Sequence, residues 1–161
     1  MGSALRDQFE ARPESLVMMA GRSTLDWQPL PLFTRLPEST WMSITYHIDR
    51  SQHLVVSEWS GKITIQEARA HFAALKADPG FDPTMRHLSE ALGAEGTLSF
   101  GELRLLAFES PFGDSGRAAI VASSDLVFGV SKQYEAFAER DGRDIRVFRD
   151  LNEARAWLGV S

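Results

Sequence analysis

The residues able to do chemistry in this chain are few, and their spacing limits what they can do. Ser115 sits in Gly113-Asp114-Ser115-Gly116, a string that surrounds the nucleophile in some serine hydrolases. That chemistry also needs a histidine base within reach, an orienting carboxylate and an oxyanion hole. Here the string runs on through Arg117 into an apolar stretch, so it reads as a turn before a strand. His47, His53, His71 and His87 show no H-x-H or H-x-x-x-H spacing of the kind that holds metals. They read as surface or half-buried structural side chains, and no metal or cofactor is expected. Glu90, Glu95, Glu102 and Glu109 are spread over loop and helix without forming an acid/base pair. No glycine-rich loop with a lysine is present to cradle phosphate. The absence of cysteine excludes disulfides, thiolate metal sites and cysteine nucleophiles. The expectation is a protein that is not an enzyme.

Composition supports this. The 161 residues suit one domain with length to spare. The chain is 43% hydrophobic and 24% charged, so it can bury a core without staples. Its 22 acidic residues outnumber 17 basic ones, for a net charge of −5, which argues against nucleic acid as a partner. The most apolar short run, Leu16 to Ala20, is far below the ~20 residues a membrane-spanning helix needs. The N-terminus lacks the basic and apolar regions of a secretory signal, so a cytoplasmic protein is expected.

The elements that must position any site lie after residue 41. Residues 1–41 hold four of the seven prolines and no sustained periodicity. They read as a partly ordered extension, or as an upstream artefact preceding a start at Met42, with Met1-Gly2-Ser3 resembling a cloning scar. Trp27 and Trp41 make this segment too apolar for a free linker.

From Ser43 the pattern is regular. Ser43 to Asp49 alternates as a half-buried strand, and His53 to Ser60 is its hairpin partner, ended by Gly61. Thr64-Ile-Gln-Glu67 and Ser99-Phe-Gly-Glu102 are capping boxes that open two helices. The first buries Ile65, Ala68, Phe72 and Leu75; the second is lined by Leu103, Leu106 and Ala107. Between them Met85 to Leu88 is a short strand and Leu92 to Leu98 a loop. Ala118 to Ala122 suits a central strand covered on both faces. Ser123, Ser124 and Asp125 are candidate N-caps for the longest helix, whose stripe is Val127, Val130, Tyr134 and Phe137. Asp144 to Phe148 is a last strand and Asp150 caps a final helix ending at Gly159. The order ββαβαβαβα implies an α/β fold: a mixed, mostly parallel sheet of about five strands. Gly129 lies inside the longest helix, where glycine costs ~1 kcal/mol relative to alanine. The expected reason is close approach of the sheet or of a second subunit, with Phe128 beside it.

Residues of about 43–159 resemble the SpoIIAA-like family of small bacterial proteins, grouped with STAS domains. The resemblance rests on Gly61 before the Thr64-initiated helix and on Ala77-Asp-Pro-Gly-Phe-Asp-Pro83. It rests also on the run Ala119 to Gly129 followed by Tyr134-Glu135, and on Ile145 to Asp150 with Trp157-Leu158. It implies helices mainly on one face of the sheet, and regulatory or ligand-binding work rather than catalysis. Anti-sigma-factor antagonists of this group are phosphorylated on a serine near the start of the helix after the third strand. By topology the nearest positions here are Ser99, then Ser89, although the Asp-Ser-Ser-Gly type of motif is missing. The group also resembles lipid-carrying SEC14-type domains, which implies an apolar pocket between helices and sheet.

Two functional expectations follow. One is a regulatory domain that binds a protein partner or forms a homodimer, through a surface of Phe128, Gly129, Trp27 and Trp41. The other is a small carrier or sensor of an apolar ligand, with an enclosed pocket of ~300–1,000 Å³ and a few polar groups.

Overall fold

The structure is a computed structural model and describes residues 43–96 and 98–161. The expected elements before Met42, and with them Trp27 and Trp41, lie outside the described residues. Strands β1 (Ile44–Asp49) and β2 (Leu54–Lys62) form the hairpin, and helix α1 (Ile65–Ala77) follows. Strand β3 (Arg86–Glu95), α2 (Phe100–Glu109), β4 (Arg117–Val121), α3 (Asp125–Arg140), β5 (Asp144–Phe148) and α4 (Leu151–Leu158) complete the order ββαβαβαβα.

The sheet order is β1-β2-β3-β4-β5, with β1 antiparallel to β2 and every other pair parallel. Each crossover therefore steps one strand along in the same direction. The fixed hand of such crossovers puts α1, α2 and α3 on one face. The period-2 alternation of strands then splits the core. Val55, Ala118 and Ile145 pack toward α1 and α3. Leu54, Val56, Leu88, Ala119 and Val121 face the other way, against Ala154 and Leu158 of α4. Three helices thus cover one face and α4 alone covers the other.

Local signals set these elements. The Asp49 carboxylate accepts from the backbone N–H of Ser51 at 2.9 Å and of Gln52 at 3.1 Å, closing the hairpin turn. Both capping boxes form, at Thr64 with Glu67 and at Ser99 with Glu102. Ser124 caps α3, and Gly159 ends α4 in the left-handed region at φ 70°.

Two elements differ from the pattern read in the sequence. β3 runs ten residues, into the first part of the expected loop as far as Glu95, because β2 itself extends to Lys62 and bulges between Glu58 and Ser60. Gly93 marks the tight approach: a Cβ there would stand 3.3 Å from the Ser60 Cβ. On α3 the buried residues are Val127, Ser131, Glu135 and Ala138, while Val130, Tyr134 and Phe137 of the apolar stripe are half-buried. Two polar side chains thus occupy buried positions. Glu135 has a defined task, since its Oε1 accepts from the Val147 N–H at 3.2 Å on the outer edge of β5.

Candidate ligand-binding cavity

α2 packs against α1 and α3 rather than on the sheet below it, and a cavity of about 130 Å³ lies in the space between. Its floor comes from the sheet: His87, Ser89 and Ala91 of β3, Trp59 of β2 and Ile120 of β4. Strand alternation places His87 and Ser89 on this face while Leu88 turns to α4. The roof is Phe72 of α1, Leu103 and Leu106 of α2, and Val130, Ser131 and Tyr134 of α3. The wall is mainly apolar, with a few polar side chains, as small-molecule sites are. The volume is below the range expected of a carrier. It is close to the about 150 Å³ cavity that holds a benzene ring.

Beside this floor, and including His87, is a polar cluster. Ser57 is fully buried, and its Oγ lies 3.1 Å from Nε2 of His71 and 3.0 Å from Nε2 of His87. The His87 ring stacks on Phe112, centroids 4.2 Å apart at 11°. His71 is ringed by Tyr46, Trp59 and Phe72 at 5.5–5.9 Å. Burial pushes the His71 pKa down to about 4, because the imidazolium would lose its hydration. Burial, then the neighbouring His71, pushes His87 down to about 3. Both rings are neutral at pH 7. This corrects the expectation that all four histidines are surface or half-buried: His71 is 5% exposed and His87 8%.

At the far end, burial raises the Tyr134 pKa, while the Arg143 guanidinium beside it and a hydrogen bond with Ser110 pull the other way. Arg143 is buried and donates through Nη2 to the Ala107 carbonyl, tying α3 and β5 to the end of α2. The cavity lining itself includes no Lys, Arg, Asp or Glu among the described residues.

The sequence-predicted residues are not brought together. Ser89 is on the cavity floor at 5% exposure, out of reach of a kinase while β3 is in the sheet. Ser99 is exposed at the start of α2, and its hydroxyl donates to Glu102 Oε2 at 2.7 Å. Phe128 is half-buried with the Arg149 guanidinium 4.1 Å over its ring. Gly129 is exposed, and among the described residues a Cβ there would meet nothing within 4 Å, so no described sheet or helix requires glycine there. Ser115 is exposed in its turn and hydrogen-bonds no histidine among the described residues. Sequence reasoning missed Ser57, His71 and His87. The signal was present. His71 completes the spacing 68, 71, 72, 75 of a buried helical stripe, and Ser57 continues the apolar run Leu54-Val55-Val56.

The family model for SpoIIAA-like proteins matches residues 54–159, well over half of the 161. The chain belongs to the SpoIIAA-like family. A solved structure of an uncharacterized protein from Shewanella loihica PV-4, of the DUF3478 family with a SpoIIAA-like fold, is similar at 21% identity and TM-score 0.53. The match covers 75% of this chain and 98% of that one, and at this identity it supports the fold alone. No curated protein matches the chain. Among the described residues no helix of this SpoIIAA-like protein is long and apolar enough to cross a membrane, and no three His, Asp or Glu side chains converge.

Proposed function

We propose that this SpoIIAA-like domain is a non-enzymatic binding module that takes up a small, mainly apolar molecule between its sheet and its three-helix face. The observation that carries this reading is the cavity under α2, apolar in its walls with His87 and Ser89 on its floor. A core with no function to serve would be packed near crystal density, since each void forfeits dispersion contacts. The volume suits a single ring or a short branched chain, not a lipid tail. With no Lys, Arg, Asp or Glu among the described residues of the lining, a neutral ligand fits best.

Native mass spectrometry of gently purified protein tests it, followed by titration of ring-sized probes watched by ¹H–¹⁵N spectra. The expected result is a co-purified small mass, or saturable shifts confined to residues around the cavity. Absence of both would remove this reading.

A second reading, a cytoplasmic regulatory domain that binds a protein partner or a second copy, has its own support. Phe108 and Phe100 on the outer face of α2 are 83% and 62% exposed. Large exposed aromatics at both ends of one helix favour contact with another surface. The same native spectra separate the two readings, since a bare dimer broken by Phe108→Ser would favour the second.

A further inference from the structure

The Ser57 cluster imposes a rule on its two histidines. The Ser57 hydroxyl has one proton and is held between two imidazole nitrogens at 3.0 and 3.1 Å. It donates to one Nε2 and accepts from the other. Both rings are buried and carry no net charge, so each has one N–H. The ring that donates through Nε2 has a bare Nδ1; the ring that accepts at Nε2 carries its proton on Nδ1. No protein group among the described residues hydrogen-bonds Nδ1 of either ring, so nothing else fixes which is which.

We propose that Ser57 holds His71 and His87 in opposite tautomers, and that this pair lets the cavity floor offer either a donor or an acceptor to one neutral polar group. The ligand class is therefore a ring-sized apolar molecule bearing one carbonyl or one hydroxyl. This half of the proposal rests on the cavity being a binding site. A carbonyl takes an N–H from His87 Nδ1; then His87 Nε2 accepts from Ser57, and Ser57 accepts from His71 Nε2–H. A hydroxyl that donates reverses the chain: His87 Nδ1 accepts, His87 Nε2–H donates to Ser57, and Ser57 donates to His71 Nε2. Charge is conserved, because the Ser57 hydroxyl turns about its own bond and each ring exchanges one N–H for another through water. His87 is a specificity-determining residue in this scheme, and Ser57 and His71 are positioning residues behind it. The stacking of His87 on Phe112 at 4.2 Å keeps the ring plane fixed while its protonation pattern changes.

Long-range ¹H–¹⁵N correlation of the histidine rings in the full chain at pH 7 tests the rule directly. The expected spectrum shows His71 and His87 neutral and of opposite tautomer. Cyclohexanone, which only accepts, and phenol, which chiefly donates, then serve as matched probes. Exchanging one for the other is expected to swap both tautomers together, and in Ser57→Ala only His87 should follow the probe. Equal tautomers in the two rings, or a charged ring, would overturn the rule whether or not a probe binds. Opposite tautomers with no probe-induced shift at any cavity residue would leave the rule standing. They would overturn the ligand class together with the cavity reading. If Ser57→Ala does not fold, the native-sequence spectra decide alone.

Discussion

Two buried histidines beside the cavity shape the acid response of this protein. His71 and His87 are harder to protonate in the folded chain, at about 4 and about 3, than in the unfolded one. As pH falls below the free-histidine value near 6.5, the unfolded state takes up protons that the folded state refuses. Stability is thus complete above that value and declines below it, by up to about 1.4 kcal/mol per pH unit per ring. Urea melts between pH 7 and 5.5, above the carboxylate range, should show this slope. In His71→Leu/His87→Leu it should flatten; an unchanged slope would mean that neither ring is kept neutral by the fold. Gly116 makes a second test at this scale. A Cβ there would lie 2.6 Å from the Met85 carbonyl oxygen, a backbone atom that cannot swing aside. Gly116→Ala should therefore destabilise by several kcal/mol on the scale of overpacking and backbone strain. The same change at Gly129, where space is open, should be neutral or slightly stabilising. Thermal melts of the pair compare them directly.

Each helix start was legible as a string, and each interruption less so. Thr64, Ser99 and Asp150 cap the helices that their four-residue patterns announce, because capping is settled by neighbours in sequence. β3 was harder to read, since Gly93 is explained by Ser60, a residue 33 positions earlier that only the sheet brings near. The two polar residues on the buried face of α3 were hidden for a related reason. Glu135 is buried because an edge-strand N–H awaits it at Val147, and no local pattern announces such a partner. His71 and Ser57 were hidden by type rather than by spacing: both lie on apolar faces, and only their meeting explains them. The same contrast yields predictions. Glu135→Ala leaves the half-buried Val147 N–H of the edge strand unpaired, which should cost about 1–3 kcal/mol and promote edge-to-edge association. Analytical ultracentrifugation with urea melts would reveal both. Ser99→Ala should cost about 1 kcal/mol and Ser99→Asp less, since aspartate also caps. A phosphate on Ser99 would instead meet the Glu102 carboxylate, now 2.7 Å from the hydroxyl, and break the capping box.

The whole domain sets a sheet face packed by α4 over β3, β4 and β5 against a three-helix side that leaves room. Its family membership and its strand order agree on the fold, while the fold alone assigns no task. A binding site and a merely stable core differ in the sign of their response to added volume. In a packed core an extra ring forces strain, and enlargement destabilises by about 1–3 kcal/mol. In a site kept open at a cost, the same ring fills space and restores lost contacts. Val130 lines the cavity from α3, so Val130→Phe carries a ring toward the space above His87. The expected outcome is a raised melting temperature together with loss of the cyclohexanone-induced shifts. Val121 is fully buried in the cluster that faces α4, none of whose members lines the cavity, and Val121→Phe there should lower the melting temperature. Should both enlargements destabilise alike, the space under α2 would be a static packing gap of a solid core, and the binding role would pass to the exposed aromatic face of α2. Opposite signs would mean that the chain gives up stability under α2 to keep a neutral ligand's place open.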